Sequence, residues 1–351
     1  MSEIPSAIQP LLRHVAAGEP LSLEQSREAF ELVMTGQASG PQVAALLTAL
    51  QVRPGGPTVD ELTGAAQVMR QHVAAVRVPE GMTVVDTCGT GGDHAGTFNI
   101  STTAALIAAG AGAHVAKHGN RSVTSSSGSS QVLEALGVTL NVDGETLVQC
   151  LEEVGLCFCF APAHHPAMKH AGPVRQHLGF RTIFNLLGPL TNPAGAKRQL
   201  IGVFEPGLTE PIAQVLTNLG AEHAMVVHGA IDGDGGGGLD ELTITGTTRI
   251  TTTRNGAVTS VNLDPSELGL ERRPIEKLRV ASVEESAAVV KGVLEGEPGP
   301  ARDIATLNAA AALVVADQAV NLTDGLAQAR EAIDSGAARE TLAKLVRVTQ
   351  G

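Results

Sequence analysis

Residues 83–87, Thr-Val-Val-Asp-Thr, form a short β-branched run that ends at once in the glycine loop Cys88-Gly-Thr-Gly-Gly-Asp93. The stretch TAALIAAGA follows, and a second apolar run lies at 113–116. A short run closed by glycines reads as a buried strand, and the nine-residue apolar stretch reads as a helix that Ser101 or Thr102 is placed to cap. Strand, helix and strand in that order make a βαβ unit. Two strands joined by a crossover helix pair in parallel, so any fold of this chain must hold a partly parallel sheet.

The alternation continues, with helical periodicity near 131–136 and 144–154, a strand at 138–141, and an apolar run at 156–161. From 164 to 197 the helix fragments are broken by Pro166, Pro173, Gly188, Pro189 and Pro193, as in a crossover that leaves the sheet. Strands at 200–204 and 224–228 flank a helix at 210–219. A Thr/Val-rich β stretch at 242–261 precedes mainly helical sequence to the end. Before the first strand, residues 23–73 show apolar spacing of helical period with breaks at Gly36, Gly40-Pro41 and Pro54–Gly56. The expected fold is therefore α/β: a large domain with a mainly parallel central sheet flanked by helices, plus a small all-helical domain. Residues 1–73 with about 166–198 are assigned to the helical domain, and 74–165 with 199–351 to the α/β substrate-binding domain. The run Gly235–Gly238 ahead of an acidic pair reads as a mobile loop.

Composition narrows the partners. A net charge of −12 repels a polyanion, and 7 Phe with no Trp or Tyr leaves few platforms for stacking bases, so nucleic acid is not expected. Four cysteines in 351 residues, none at zinc-finger spacing, point to a reducing compartment. The amino terminus lacks a basic start with an apolar core, and no segment reaches eighteen apolar residues, so a cytoplasmic protein with no membrane partner is expected.

Two loops carry the chemistry. In the first, glycines after a strand let backbone N–H groups approach an anion, and Asn99, Ser101 and Thr102 add donors at the following helix start. The second, Lys117-His-Gly-Asn-Arg-Ser-Val-Thr-Ser-Ser-Ser-Gly-Ser-Ser130, begins where the second strand ends, so both loops should meet at the carboxyl edge of the sheet. Cys157 and Cys159 alternate within an apolar strand and read as core. Cys88 has no neighbouring base, and the histidines at 164, 165, 170 and 177 follow no recognised ligand spacing.

GTGGD with TFNIST, KHGNRSV with VLEALG, and APAHHPAMKHAGPVRQHLGFRTIFNLLGPLTNP together resemble the signature blocks of the anthranilate phosphoribosyltransferase family over nearly the whole chain. The first two blocks are shared in similar form with pyrimidine nucleoside phosphorylases; the third discriminates. The resemblance implies an Mg2+-dependent enzyme of tryptophan biosynthesis that joins anthranilate to C1 of phosphoribosyl pyrophosphate (PRPP), and a homodimer through the helical domain. It places PRPP on Gly89, Gly92, Asp93, Thr97, Asn99, Ile100, Ser101, Thr102, Lys117, His118, Gly119, Asn120, Arg121, Ser122, Val123, Thr124, Ser125 and Ser129. It places anthranilate on Gly89, Asn120 and Arg175, with His118 and the Gly188-Pro189 turn lining the pocket, and the metal on Ser101, Asp240 and Glu241. The chain departs from the family pattern at Ser126, where Lys is usual, and at Ser130-Gln131, where Ala-Asp is usual.

Overall fold

A computed structural model of the chain describes residues 7–121, 128–233 and 237–351. Four helices open it: α1 (Gln9–Ala16), α2 (Leu23–Met34), α3 (Gly40–Val52) and α4 (Val59–Gln71). Then come β1 (Val84–Thr87), α5 (Ile100–Gly110), β2 (His114–Gly119), α6 (Ser129–Ala135), α7 (Gly144–Gln149) and β3 (Leu156–Phe160). A crossover holding α8 (Ala161–His164), α9 (Gly172–Leu178) and α10 (Phe184–Leu187) leads to β4 (Arg198–Gly202), α11 (Thr209–Asn218) and β5 (His223–Ala230). The short β6 (Gly238–Leu239), the hairpin β7 (Thr248–Arg254) and β8 (Ala257–Leu263), and helices α12 (Val283–Leu294), α13 (Pro300–Val315), α14 (Leu322–Asp334) and α15 (Ala337–Gln350) complete the chain.

The strands order as β3-β2-β1-β4-β5-β7-β8, with β6 paired to β5. Pairing is parallel from β3 to β5 and antiparallel beyond, which is the mainly parallel α/β sheet expected. From β1 the chain winds outward to β2 and β3, and the crossover then returns it to β4 on β1's other side. The β1/β4 boundary is thus the topological switch point, where open α/β sheets form a crevice beyond their strand ends.

Each face of the sheet carries its own core. Leu200, Met225 and Val227 pack with α5, α13 and their neighbours, while Ile201, Ala224 and Val226 point the other way, onto α11 and the helices of the amino-terminal group. That alternation is the period-2 geometry of a strand covered on both sides. With so few aromatics, density comes from close approach: Ala104–Ala109 of α5 and Ala309–Ala312 of α13 are buried where these helices cross. Fully buried leucines such as Leu106 and Leu307 each add about 1.5–3 kcal/mol.

Three sequence expectations are corrected. Residues 138–141 form no strand; Val138 and Leu140 are buried and Thr139 exposed, but the Thr139 N–H donates to Thr349 Oγ1 of α15, 3.1 Å away, so docking on a helix produces the alternation. Residues 242–246 are buried without joining a ladder, and only β7 and β8 take strand form in the β-rich stretch. Helix α5 starts earlier than expected, at Ile100 with Asn99 at its cap position, so Ser101 and Thr102 lie inside the first turn and do not cap it. Of the glycine run 235–238, residues 235 and 236 lie outside the described residues, and Gly238 opens β6.

The amino-terminal helices are tied together by one buried acid. Glu61, three residues into α4, accepts N–H bonds from Thr58 at 2.7 Å and from Leu21 at 2.9 Å and pairs with the Arg53 guanidinium. Removing one partner of such a pair leaves a charge and two amides unsatisfied. Glu61→Ala is expected to lower unfolding stability by about 3 kcal/mol, read from the denaturation midpoint followed by circular dichroism.

Candidate active site

Beyond β1 the backbone turns sharply under Asp240. The Thr90 N–H donates to Gly202 O at the end of β4 (2.9 Å), closing the switch point, and the Gly91 N–H donates to Asp240 Oδ2 (2.7 Å). A Cβ at Gly89 would collide with the Asp240 carboxylate and one at Gly202 with the Asp240 carbonyl, so the close approach requires glycine at both places. Glu241 Oε1 accepts the Ser101 N–H at 3.0 Å. A carboxylate therefore occupies the amino end of α5, where the unpaired N–H groups and helix dipole favour negative charge.

Asp93 closes the acidic group, its Oδ1 accepting from Ala95 N–H (3.1 Å) and its Oδ2 lying 3.4 Å from the Asp240 amide. Asp240 and Glu241 keep some surface open to solvent, yet protein atoms crowd their carboxyls. Burial first, and then the Asp93 carboxyl, raise Asp240 to about 8; burial and Asp240 push Glu241 well above its ordinary range. An ammonium close by is that of Lys117, buried at the end of β2, whose Nζ donates to Thr87 O and to Ser101 Oγ (3.2 Å). Carboxylates crowded beside a hydroxyl form the hard-oxygen donor set that magnesium takes, and their mutual repulsion is what a divalent cation would relieve.

Beneath this layer Asp86 is fully buried. Its Oδ1 accepts the His118 N–H at 3.0 Å, its Oδ2 has no hydrogen-bond partner among the described residues, and burial raises it to about 6 against the opposing pull of Lys117. His118 lies 3.1 Å from Gly188 O through Nδ1 and 3.2 Å from His165 Nε2 through Nε2. A carbonyl only accepts, so Nδ1 of His118 carries its proton and Nε2 accepts from His165. Burial holds both imidazoles neutral, His118 at about 3 and His165 at about 4.

The two loops read from sequence do meet, through Lys117 on Thr87 and Ser101 and through His118 on Asp86. Thr102 Oγ1 lies 3.4 Å from Asn99 Oδ1, the Asn99 N–H donates to Ser286 Oγ, and Thr97 bridges to Arg279 at the crevice rim. Gly119 packs against Phe158 and Ser129, and Asn120 Oδ1 accepts the Arg121 N–H, while the Arg121 guanidinium pairs with Glu134 on the surface. The Arg175 guanidinium on α9 lies 5.2 Å from the Phe184 ring centroid and makes no hydrogen bond or ion pair to another described residue. Ser122, Val123, Thr124, Ser125 and Ser126 lie outside the described residues. At the other departure, Gln131 Oε1 accepts the Gly128 N–H, so its amide serves the start of α6.

Asp86, His165 and Arg181 were not singled out as site residues. Asp86 stood inside a quoted motif and His165 beside a proline; only the fold turns them inward. The remaining histidines scatter, His164 to Ala74 O, His177 to Pro173 O and His170 against Gly36. Cys157 and Cys159 are core, and burial with nearby acids raises the Cys88 thiol far above its ordinary range, where it is no nucleophile.

Residues 81–339 match the glycosyl transferase family, a/b domain, and residues 9–73 its helical bundle domain. The chain is 51% identical to the anthranilate phosphoribosyltransferase of Symbiobacterium thermophilum, covering 97% of this chain and 98% of that one. It belongs to the anthranilate phosphoribosyltransferase family. The crystal structure of the Thermus thermophilus family member superposes with a TM-score of 0.89 at 41% identity, over 97% of this chain and 99% of that one. The Saccharomyces cerevisiae enzyme in complex with PRPP and Mg superposes at 0.86 with 27% identity, over 98% of both chains.

The raised carboxyls set a pH test. Their protons are held in the folded protein to about pH 8 for Asp240 but lost near pH 4 when unfolded, so between these values the folded state binds more protons and stability falls as pH rises. Metal binding needs the ionised form. The melting temperature without Mg2+ is expected to drop from pH 5.5 to 8.5, and the rise on adding millimolar Mg2+ to be larger at pH 8.5. Asp240→Asn/Glu241→Gln should flatten both trends in differential scanning fluorimetry.

Proposed function

We propose that the crevice between the amino end of α5 and the carboxyl ends of β1, β2 and β4 holds PRPP with Mg2+, and that anthranilate enters beside it under Arg175. Family membership sets the reaction: the phosphoribosyl group of PRPP passes to the amino nitrogen of anthranilate, giving N-(5-phosphoribosyl)anthranilate and pyrophosphate in tryptophan biosynthesis. The observation that carries the site assignment is the juxtaposition of an anion-receptive helix start, a buried Lys117 and an acidic pair on one glycine loop.

In this reading Gly89, Gly92, Asp93, Thr97, Asn99, Ile100, Ser101 and Thr102 hold the pyrophosphate end, with Lys117, His118, Gly119, Asn120, Arg121 and Ser129 on the facing loop. Ser101, Asp240 and Glu241 hold Mg2+, which when bound neutralises the charge of the departing pyrophosphate. An arylamine is unprotonated at neutral pH, so attack on C1 needs no strong base. The protein's task is to orient two anionic substrates in line and to offset the leaving charge with Lys117 and the α5 N–H groups. Arg175, whose guanidinium makes no ion pair or hydrogen bond with another described residue, offers a planar bidentate fork to the anthranilate carboxylate. Neutral His118 and His165 add no positive charge near the ribose carbon, where positive charge develops.

The same reading treats 1–73 with about 166–198 as one body and 74–165 with 199–351 as another, with substrates between them. Homodimerisation through the helical body is supported by the family resemblance. A cytoplasmic setting is supported by four unpaired cysteines and by the lack of any described helix long and apolar enough to cross a membrane.

Fluorescence-followed consumption of anthranilate with PRPP is expected to depend on Mg2+ and to fall at least about a hundredfold in Asp240→Ala/Glu241→Ala. No Mg2+-dependent turnover in the unaltered protein would sink the site assignment. Arg175→Ala is expected to raise the KM for anthranilate about tenfold or more while leaving that for PRPP near its original value, since a charge-assisted fork is lost from one substrate only.

A further inference from the structure

Arg181 lies between α9 and α10, on the crossover that also carries Arg175, yet its guanidinium reaches the glycine loop after β1. Nη2 donates to Gly92 O and lies 3.2 Å from His94 Nε2, and the guanidinium sits over Phe204, 4.0 Å from the ring centroid, just past the end of β4. These contacts bracket Asp93. Gly92 has φ +79° and His94 φ +57°, both left-handed, a conformation that costs a non-glycine residue about 1–2 kcal/mol. A turn of that kind persists only where its surroundings hold it. A Cβ at Gly92 would meet the Arg181 guanidinium, so the loop and the arginine are packed in direct contact. Held in this shape, the turn presents Asp93 to the Asp240 amide and opposite the Asp240 and Glu241 carboxyls.

We propose that Arg181 is a positioning residue for the metal and pyrophosphate end of the site, fixing the left-handed 91–94 turn from the segment that presents Arg175. The role calls for a guanidinium and not merely a cation. A planar group can lie flat on Phe204 while its edge donates to a carbonyl, and a lysine ammonium cannot do both. Arg181 makes no ion pair with a described residue, so its charge also stays available to the crevice. Because the turn faces the acidic pair, its loss acts on PRPP and Mg2+, although the side chain comes from the anthranilate side. The inference rests on the reading that this loop holds PRPP.

Steady-state kinetics varying PRPP, anthranilate and Mg2+ in turn, on the unaltered protein and on Arg181→Ala, Arg181→Lys and Phe204→Leu, test it. Arg181→Ala is expected to raise the PRPP KM and the Mg2+ half-saturation about tenfold, the loss of one charge-assisted bond, with the anthranilate KM changed by less than about twofold. Phe204→Leu should move the same constants in the same direction by less, and Arg181→Lys should rescue only in part. An unchanged PRPP KM, equal rises for both substrates, or full rescue by lysine would overturn the assignment while leaving the site reading intact. Absence of Mg2+-dependent turnover in the unaltered protein would overturn the site reading, and this inference with it. Should Arg181→Ala not fold, Phe204→Leu and Arg181→Lys carry the same comparison.

Discussion

Carboxyl groups gathered at the amino end of α5 are the constraint around which the rest of the crevice is arranged. Glu241 takes the Ser101 amide and Asp240 the Gly91 amide, while Asp93 crowds both acids from the loop between them. Backbone must come this close for the bonds to form, which excludes any side chain at Gly89 and Gly202. The acids' mutual repulsion is answered within the protein mainly by Lys117, itself sunk onto Thr87 and Ser101. An arrangement so short of positive charge would be relieved by a cation bound together with an anionic ligand, which is the occupancy proposed for it.

Topology supplies the place for this cluster. Parallel neighbours β1 and β4 feed loops that leave in opposite directions, so a gap opens beyond their ends without any break in the sheet. The crossover that returns the chain to β4 passes the gap, bringing Gly188 to His118 and Arg181 to Gly92. Rigid footing comes from both faces. Alanine-rich α5 and α13 approach closely beneath the site, and the amino-terminal helices pack with α11 on the opposite face. Small side chains make that approach possible in a chain nearly without aromatics.

Much of the fold and part of the site were legible in the sequence. The glycine loop after residues 83–87 and the Lys117 run after 113–116 each announce a strand end, and local steric and hydrogen-bonding rules place both ends correctly. Residues 138–141 misled because alternation records burial on one side and says nothing of what does the burying; α15 did, some two hundred residues away. Ser101 misled as a cap because the group that satisfies α5 is Glu241, which no local pattern near residue 101 contains. Asp86 and His165 gave no signal beyond their neighbours, since a buried carboxyl or imidazole looks in sequence like any other.

The sequence by itself determined the βαβ start, the parallel core, the two loops that meet at the strand ends and, through its three motif blocks, the family. These depend on residues near one another in the chain, where backbone sterics and periodicity act directly. Tertiary structure alone decided which acid meets which amide, that His118 and His165 form a neutral pair, and that Arg181 from the crossover holds the turn around Asp93. Such contacts join residues from 32 to 149 positions apart. They form only because packing two cores on opposite faces of one sheet brings distant segments to a single gap, and the energy that places them belongs to the whole fold and to no local stretch of chain.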